Sequence, residues 1–309
     1  MTVTSQVAAQ LPEGLLVRLI SFAYRRFEPE IRNVGVVCGR GGTMVDIGGW
    51  YGPWARRLVR RASRVVVIEP TPLHEVLSRT LPPAVEVIGA AASDHGGEAE
   101  IWLPSANGAT RGISSLHRRD IHRTSVTVPL VTVDGLGLRD VTFMKIDVDG
   151  HEVPVLRGAA ETIRRDQPRL LIEVEQRIQP VEDVMDLLAS WGYRGWVLPG
   201  RQWVPLADFP LAAHQAKTMH AADRGLARRF LWPFPRYVNS VLFLPESQAP
   251  GVPSRTRNHD RRGDRLQGRR VGLGADARPE GALVGGGELC RRLRGTRTGH
   301  QFLDVRPDG

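Results

Sequence analysis

From Thr43 onward, short β-branched or apolar runs alternate with stretches whose apolar residues recur every three or four positions. "TMVDIG" reads as an apolar strand running into the Gly-rich "GGWYG", and "PWARRLVRRA" as a helix with proline at its start. "RVVVIEP" is a strand stopped by proline, "LHEVLSRTL" is helical, and "AVEVIGAAAS" is again a strand. "AEIWL" and "SVTVPLVTV" are further strands around a loop, "PSANGATRGISSLHRRD". "VTFMKID" then opens onto the helix "EVPVLRGAAETIRRD". The strand "RLLIEVE", a helix at "VEDVMDLLASWG", a strand at "YRGWVLP" and a last strand at "YVNSVLFLP" complete the series. Such alternation predicts an α/β fold, with a mostly parallel sheet and helices on both faces. A long irregular segment, residues 200–235, precedes the last strand in place of a compact crossover helix, so that strand is expected to pair antiparallel.

Ahead of this pattern, "LPEGLLVRLISFAYRRF" (residues 11–27) places Leu15, Leu16, Leu19, Ile20, Ala23 and Phe27 on one helical face, with Arg18, Arg25 and Arg26 interrupting or flanking it. A helix capping the core is the first expectation; an interfacial helix resting on a membrane is the second. The organisation expected is a helical cap over 1–40, one main domain over 41–245 and a tail over 246–309. The tail has few large apolar residues and no period, so it is expected to be disordered.

At 41% hydrophobic over 309 residues, the chain can bury a sizeable core. A net charge of +9 would suit nucleic acid or an anionic surface. Its make-up argues otherwise. Only Lys145 and Lys217 are lysines among the 42 basic residues, a bias that fits GC-rich codons. The tail concentrates 13 arginines against 8 acidic residues, leaving the rest ordinary for an enzyme, so no nucleic-acid partner is expected. Cys38 and Cys290 offer neither a disulfide framework nor a metal-binding spacing. The N-terminus reads without a signal peptide and no apolar run is long enough to span a membrane, so a cytoplasmic protein is expected.

In open α/β sheets the ligand sits outside the carboxyl ends of the strands. The first strand delivers Asp46 and then Gly48, Gly49 and Gly52, a D-x-G-x-x-x-G turn distinct from G-x-G-x-x-G. Glycines let a backbone approach a ligand, helix-start N–H groups receive a carboxylate, and Asp46 can accept an ammonium group. That set suits the methionine part of S-adenosylmethionine, although glycine turns before helices are common. The second strand ends in Glu69, 23 residues after Asp46, where an acid can hold ribose hydroxyls or simply sit on the surface. Ala91 and Ala92 leave room for a flat base, with Ser93 or Asp94 to bond its edge. In "VTFMKIDVDGHEVPVLRGA", Val141, Phe143 and Met144 belong to a buried strand and Lys145 to Glu152 lie where it leaves the sheet. Asp147 and His151 at that mouth fit acid/base work; a structural network at the strand end is the alternative. The "DVDG" lacks the spaced ligands and terminal glutamate of an EF-hand.

Together "MVDIGGWYG", "VVVIEPTP", "AAASDHGG", "RGISSL", "MKIDVDGHEVPVLRGA" and "PRLLIEVE" resemble the FkbM family of S-adenosylmethionine-dependent methyltransferases, in order, over residues 40–245. The resemblance implies a Rossmann-like class I methyltransferase fold, with a mostly parallel seven-stranded sheet, an antiparallel last strand, and methyl transfer to a hydroxyl oxygen. It implies Asp46, Gly48 and Gly52 as the methionine-side site, Glu69 as the ribose acceptor, and Asp147 and His151 at the active-site end of the fourth strand. Asp149 departs from the family's usual glutamate, and "GGW" from its commoner Gly-Ala-Asn.

On this basis His151 is the expected base, oriented or charge-stabilised by Asp147, with Lys145 in support. A Mg²⁺ held by Asp147 and Asp149 is the less favoured alternative. Ser114, Ser115, His117, Trp203, His214, His220, Trp232 and Phe234, in segments 104–124 and 200–235, suit a sugar, glycolipid or secondary-metabolite acceptor. Two other classes stand beside this one. A nicotinamide-dependent oxidoreductase is opposed by the missing G-x-G-x-x-G, and a non-catalytic basic nucleic-acid- or membrane-binding protein would depend on the tail.

Overall fold

The structure is a computed structural model, and it describes residues 12–25, 28–103, 115–116, 122, 124–222 and 236–252. Ser114, His117, Trp232, Phe234, Phe27, the side chain of His220 and the tail beyond 252 lie outside the described residues. The strands are β1 (Thr43–Ile47), β2 (Arg64–Ile68), β3 (Val85–Ile88), β4 (Ala91–Ala92), β5 (Gly97–Leu103), β6 (Thr124–Val131), β7 (Val141–Ile146), β8 (Arg169–Glu173), β9 (Tyr193–Val197), β10 (Val204–Pro205) and β11 (Ser240–Pro245). The helices that matter below are α1 (Glu13–Tyr24), α2 (Leu73–Thr80), α3 (Glu152–Arg157), α4 (Ala160–Asp166) and α5 (Val181–Ser190).

The main sheet runs β10-β9-β11-β8-β7-β1-β2-β3. β3, β2, β1, β7 and β8 are parallel, and β11 enters antiparallel between β8 and β9, as expected of the last strand. Strand side chains alternate between faces, and the sheet sorts its apolar residues accordingly. Val45, Ile47, Val66, Ile68, Met144 and Ile146 pack with Leu156 of α3 and Leu188 of α5. Met44, Val65, Val67 and Phe143 pack with Trp54, Leu58 and Leu77 on the opposite face. Both faces are thus covered, which is why these strands read as continuous apolar runs.

The architecture is the expected class I arrangement, but the main sheet has eight strands where seven were expected. The extra one, β10, lies inside the segment read as irregular, pairing Val204 and Pro205 with Val197 and Trp196, and the same segment also forms a 12-residue helix, Leu211–Ala222. Two residues carry no period to detect, and a proline is tolerated there because the strand is at the edge. "AVEVIGAAAS" also divides. β3 stays in the main sheet, whereas Ala91 and Ala92 pair with Leu130 and Val131 of β6 in a separate sheet ordered β4-β6-β5.

"EVPVLRGAAETIRRD" likewise breaks into α3 and α4 around Gly158. A Cβ on Gly158 would lie 1.9 Å from the Ser93 carbonyl oxygen. Two backbones meet there, so neither can move aside cheaply. Asp134 then caps α4, its Oδ1 and Oδ2 accepting from the N–H groups of Thr162 and Glu161 at 2.8 and 3.0 Å. Gly158 has φ of −74°, so alanine would meet steric conflict without dihedral strain. Gly158→Ala is expected to lose about 3 kcal/mol, the upper range for overpacking. Urea denaturation measures this, and a loss well below 1 kcal/mol would show that the contact relaxes.

α1 forms where the apolar period predicts it, but it presents a different face to the protein. Val17 packs with Tyr51 and Leu73, and Ile20 with the same group, while Leu15, Leu19 and Phe22 stay exposed. Part of the expected core-facing stripe therefore faces outward. The helix is fixed in that orientation by the pair between Glu13 and Arg79 of α2 and by the Tyr24 ring against Trp50, centroids 5.3 Å apart.

Candidate active site

β1, β2 and β7 end at one edge of the sheet, and their exits are fitted tightly together. Gly48 has φ of 80° and a Cβ there would fall 1.9 Å from the Asp147 carbonyl oxygen. Only glycine lets the turn after β1 leave against the turn after β7. Gly48 and Gly49 donate their N–H groups to Ile68 O, tying the turn to β2; a Cβ on Gly49 would meet the Val67 side chain at 2.3 Å, and one on Gly52 the Leu77 side chain at 3.0 Å. Trp50 follows with φ of 45°, a left-handed conformation that a tryptophan adopts only under constraint. The rings of Tyr24 and Tyr51, with centroids at 5.3 and 5.1 Å, supply that constraint.

Trp50 N–H donates to Glu69 Oε2 at 2.8 Å, while Glu69 Oε1 accepts from Thr71 N–H at 3.0 Å and Thr71 Oγ1 at 2.5 Å. The carboxyl group is 5% exposed. Burial pushes its pKa up, and the bonds from Thr71 and Trp50 pull against that shift. Glu69 therefore closes the glycine turn onto the end of β2 and is not a free surface glutamate. Asp46 is 1% exposed, and its Oδ2 accepts from Ala55 N–H at 3.0 Å. Burial raises it to about 7, with Lys145 opposing. One of its oxygens is thus committed to the start of the helical turn at Ala55–Leu58.

Lys145 is the hub of the charged strand end. Its ammonium donates to Asp147 Oδ2 at 2.7 Å and is almost completely buried. Burial works against its charge, but Asp147, Glu28, Asp46 and Glu173 outweigh it and hold the pKa above the ordinary lysine range. Glu28 was not anticipated. It stands between the end of α1 and the turn at Pro29–Arg32, where no period marks it, yet it is buried and accepts from Trp54 Nε1 at 2.9 Å. Burial lifts it to about 8, against the pull of Lys145. Glu173, also unanticipated, ends β8 and is raised by burial; inspecting that strand end in "RLLIEVE" would have found it.

The expected partnership of His151 with Asp147 takes another form. Asp147 holds Lys145, and His151 Nε2 lies 3.0 Å from Ser93 Oγ. Ser93 Oγ donates to Asp94 Oδ1 at 3.2 Å, and the same oxygen lies 2.6 Å from His95 Nδ1. A hydroxyl has one proton. With that proton given to Asp94, Ser93 accepts from His151 Nε2–H, and Nδ1 becomes the basic nitrogen of the neutral ring. Ser93 thus meets His151 instead of a base edge, and Ala92 packs in the core, so this strand end is not an open base pocket.

Beside Asp147 a small, largely filled recess is lined by Asp147, Asp149, Gly150, Glu152, Glu173, Glu175, Ile178 and Gln179. Asp149, at φ of 53°, offers its carbonyl to Ser115 Oγ at 2.8 Å. Glu152 accepts from Gly150 N–H at 3.2 Å and from Gln179 Nε2, and burial raises it to about 7. Among the described residues, no group of three or more His, Cys, Asp or Glu side chains is placed to hold a metal ion. Trp203 packs, half-buried, against the core cluster that holds Met44 and Phe143, and His214 Nε2 donates to the Arg236 carbonyl at 2.8 Å.

A family model described as the Methyltransferase FkbM domain matches residues 38–194. No curated protein sequence matches the chain at a significant level. Among solved structures, the chain is similar to methyltransferase FkbM from Methylobacillus flagellatus KT, at 18% identity and a TM-score of 0.41. That likeness covers 66% of this chain but 43% of the other, so the chain spans less than half of that protein. It is also similar to precorrin-6Y C5,15-methyltransferase from Geobacter metallireducens GS-15, at 11% identity and TM-score 0.37, over 70% and 87% of the two chains. A third similar structure is the DhpI–SAH complex, at 11% identity and TM-score 0.33, over 79% and 92%.

Proposed function

The chain belongs to the FkbM methyltransferase family, and we propose that it is an S-adenosylmethionine-dependent O-methyltransferase acting on a hydroxyl of a sugar, glycolipid or secondary metabolite. The convergence of Glu69, the glycine turn and His151 at one edge of the sheet supports this most directly. The residues present fit the cofactor. Glu69 is a buried acceptor at the end of β2, suited to ribose hydroxyls, and Trp50 Nε1 beside it is a buried donor with no partner among the described residues. Asp46 and Asp147 offer carboxylate oxygens near the turn for an ammonium group. When bound, S-adenosylmethionine supplies an electrophilic methyl group on a sulfonium.

The protein's own part is alignment and proton removal. Orientation of the reacting groups supplies up to roughly 7–11 kcal/mol in favourable systems. His151 takes the hydroxyl proton at Nδ1, with Ser93 and Asp94 fixing its tautomer from the other side of the ring. Lys145 holds Asp147 in place through the 2.7 Å ion pair. None of these steps requires Mg²⁺.

Calorimetric titration with S-adenosylmethionine and S-adenosylhomocysteine is the direct test. Glu69→Ala is expected to weaken binding roughly 10- to 150-fold, equivalent to a lost charge-assisted bond of about 1.5–3 kcal/mol, and Asp46→Ala to weaken it as well. Folded wild-type protein that binds neither compound would overturn the cofactor assignment. Equal binding by wild type and Glu69→Ala would overturn the site.

A further inference from the structure

The outward arc of α1 is apolar and ringed with arginine. Leu15, Leu19 and Phe22 are 46%, 49% and 69% exposed. Spaced by four and three residues, they form one stripe along the helix, roughly 10 Å long at 1.5 Å per residue. Arg18 and Arg25 are exposed beside it, with the Arg25 guanidinium 6.0 Å from the centre of the Phe22 ring. Arg32 donates to Arg25 O at 2.7 Å and Arg57 to Ser21 O at 3.2 Å, so two more guanidiniums stand against the same helix. The acids nearby are already engaged. Glu13 pairs with Arg79, Glu28 is buried against Trp54, and Glu30 is buried with Arg236. Arg18 and Arg25 meet no carboxylate among the described residues. No helix of the described residues is long and apolar enough to cross a membrane.

We propose that α1 docks the protein on an anionic lipid surface, with Leu15, Leu19 and Phe22 seated at the headgroup–acyl boundary and Arg18 and Arg25 on lipid phosphates. A helix with an apolar stripe edged by arginine is what such a surface binds, since arginine stems lie along acyl chains while their heads reach the phosphates. The same face fits a second copy of the chain poorly. A two-fold contact would bring the arginine ring against its own image. Docking also has a direction. α1 reaches Trp50 through Tyr24 on its inner side, so the helix that carries the lipid-bound face packs over the glycine turn at the carboxyl edge of the sheet. Resting on the methyl-transfer reading, this makes the acceptor a lipid-anchored molecule, its hydroxyl delivered from the membrane side.

Vesicle co-sedimentation of the full chain, without cofactor, tests the surface independently of the chemistry. With vesicles of phosphatidylcholine and roughly one-third phosphatidylglycerol, binding is expected, falling at least about tenfold on pure phosphatidylcholine or at high salt. Leu19→Glu with Phe22→Glu is expected to lose binding at least about tenfold while keeping the wild-type unfolding temperature. Arg18→Glu with Arg25→Glu is expected to abolish the preference for anionic vesicles. Undiminished binding by the Leu19/Phe22 variant would place the contact elsewhere, for instance in the arginine-rich tail, and overturn the proposal. So would absence of binding by folded wild type, or lipid-free dimerisation of wild type that Phe22→Glu abolishes.

Discussion

Lys145→Met is expected to lose about 3–5 kcal/mol of folding stability near pH 8, the range for removing one partner of a buried charge cluster, and to recover much of it towards pH 5. The ammonium is buried with Asp147 against it and with Glu28, Asp46 and Glu173 around it. Methionine fills similar space but leaves those carboxylates unopposed. Their pKa values carry the pH dependence. Glu28 sits at about 8 and Asp46 at about 7 in the folded protein, above their ordinary values of 4.5 and 3.8. Between the ordinary and the folded values, the folded chain binds more protons than the unfolded one. The stability these groups contribute is therefore complete below about pH 4 and is lost as pH rises through 7 and 8. In the variant the lowering influence of Lys145 disappears, so the decline steepens. Urea denaturation of both proteins at a series of pH values measures the difference. A gap that stays constant from pH 5 to 8 would mean that Lys145 acts through packing and not through charge.

His151→Asn is expected to reduce kcat by about 10²–10⁴, the usual contribution of a general base, with cofactor affinity unchanged. Asparagine keeps a polar side chain of similar size but cannot take a proton, so the loss should fall on kcat. Ser93→Ala keeps the ring but releases its tautomer. Its loss should be smaller, about tenfold. That separates a residue that positions the base from the base itself. Single-turnover rates with cofactor and acceptor measure both variants. A His151→Asn enzyme within tenfold of wild type would assign proton removal to another group.

Much of the scaffold is visible in the sequence because its strands are buried on both faces and carry β-branched runs that few other environments favour. The antiparallel last strand is expected because the segment before it reads as irregular, yet that segment holds a helix, Leu211–Ala222, so the pairing is anticipated and its reason is not. β10 is not, because a two-residue edge strand ending in proline has neither length nor period. The face of α1 was misassigned for a different reason. Leucine spacing marks a stripe, but which arc meets the protein depends on Val17, Glu13 and Tyr24 finding Leu73, Arg79 and Trp50. The site divides in the same way. Strand ends locate Asp46, Glu69, Asp147 and His151 at one edge without any knowledge of tertiary contacts. Their partners come from elsewhere in the chain: Ser93 reaches His151 across 58 residues, and Glu28 reaches the Lys145 cluster from the N-terminal segment. No local pattern encodes those distances.

Among the described residues β11 is the last strand in the chain, yet it lies between β8 and β9. During translation, every residue of the parallel half is available long before Pro245 emerges. Until then β8 has an open edge, and β9 meets the rest through the packing of Tyr193 and Val197 and the bond from Tyr193 Oη to the Pro168 carbonyl. An unpaired edge of Leu170, Leu171 and Ile172 is a template for another nascent chain. The closing step is also one of high sequence separation, which slows it. The order of synthesis therefore places the step most open to misassembly at the end of the domain.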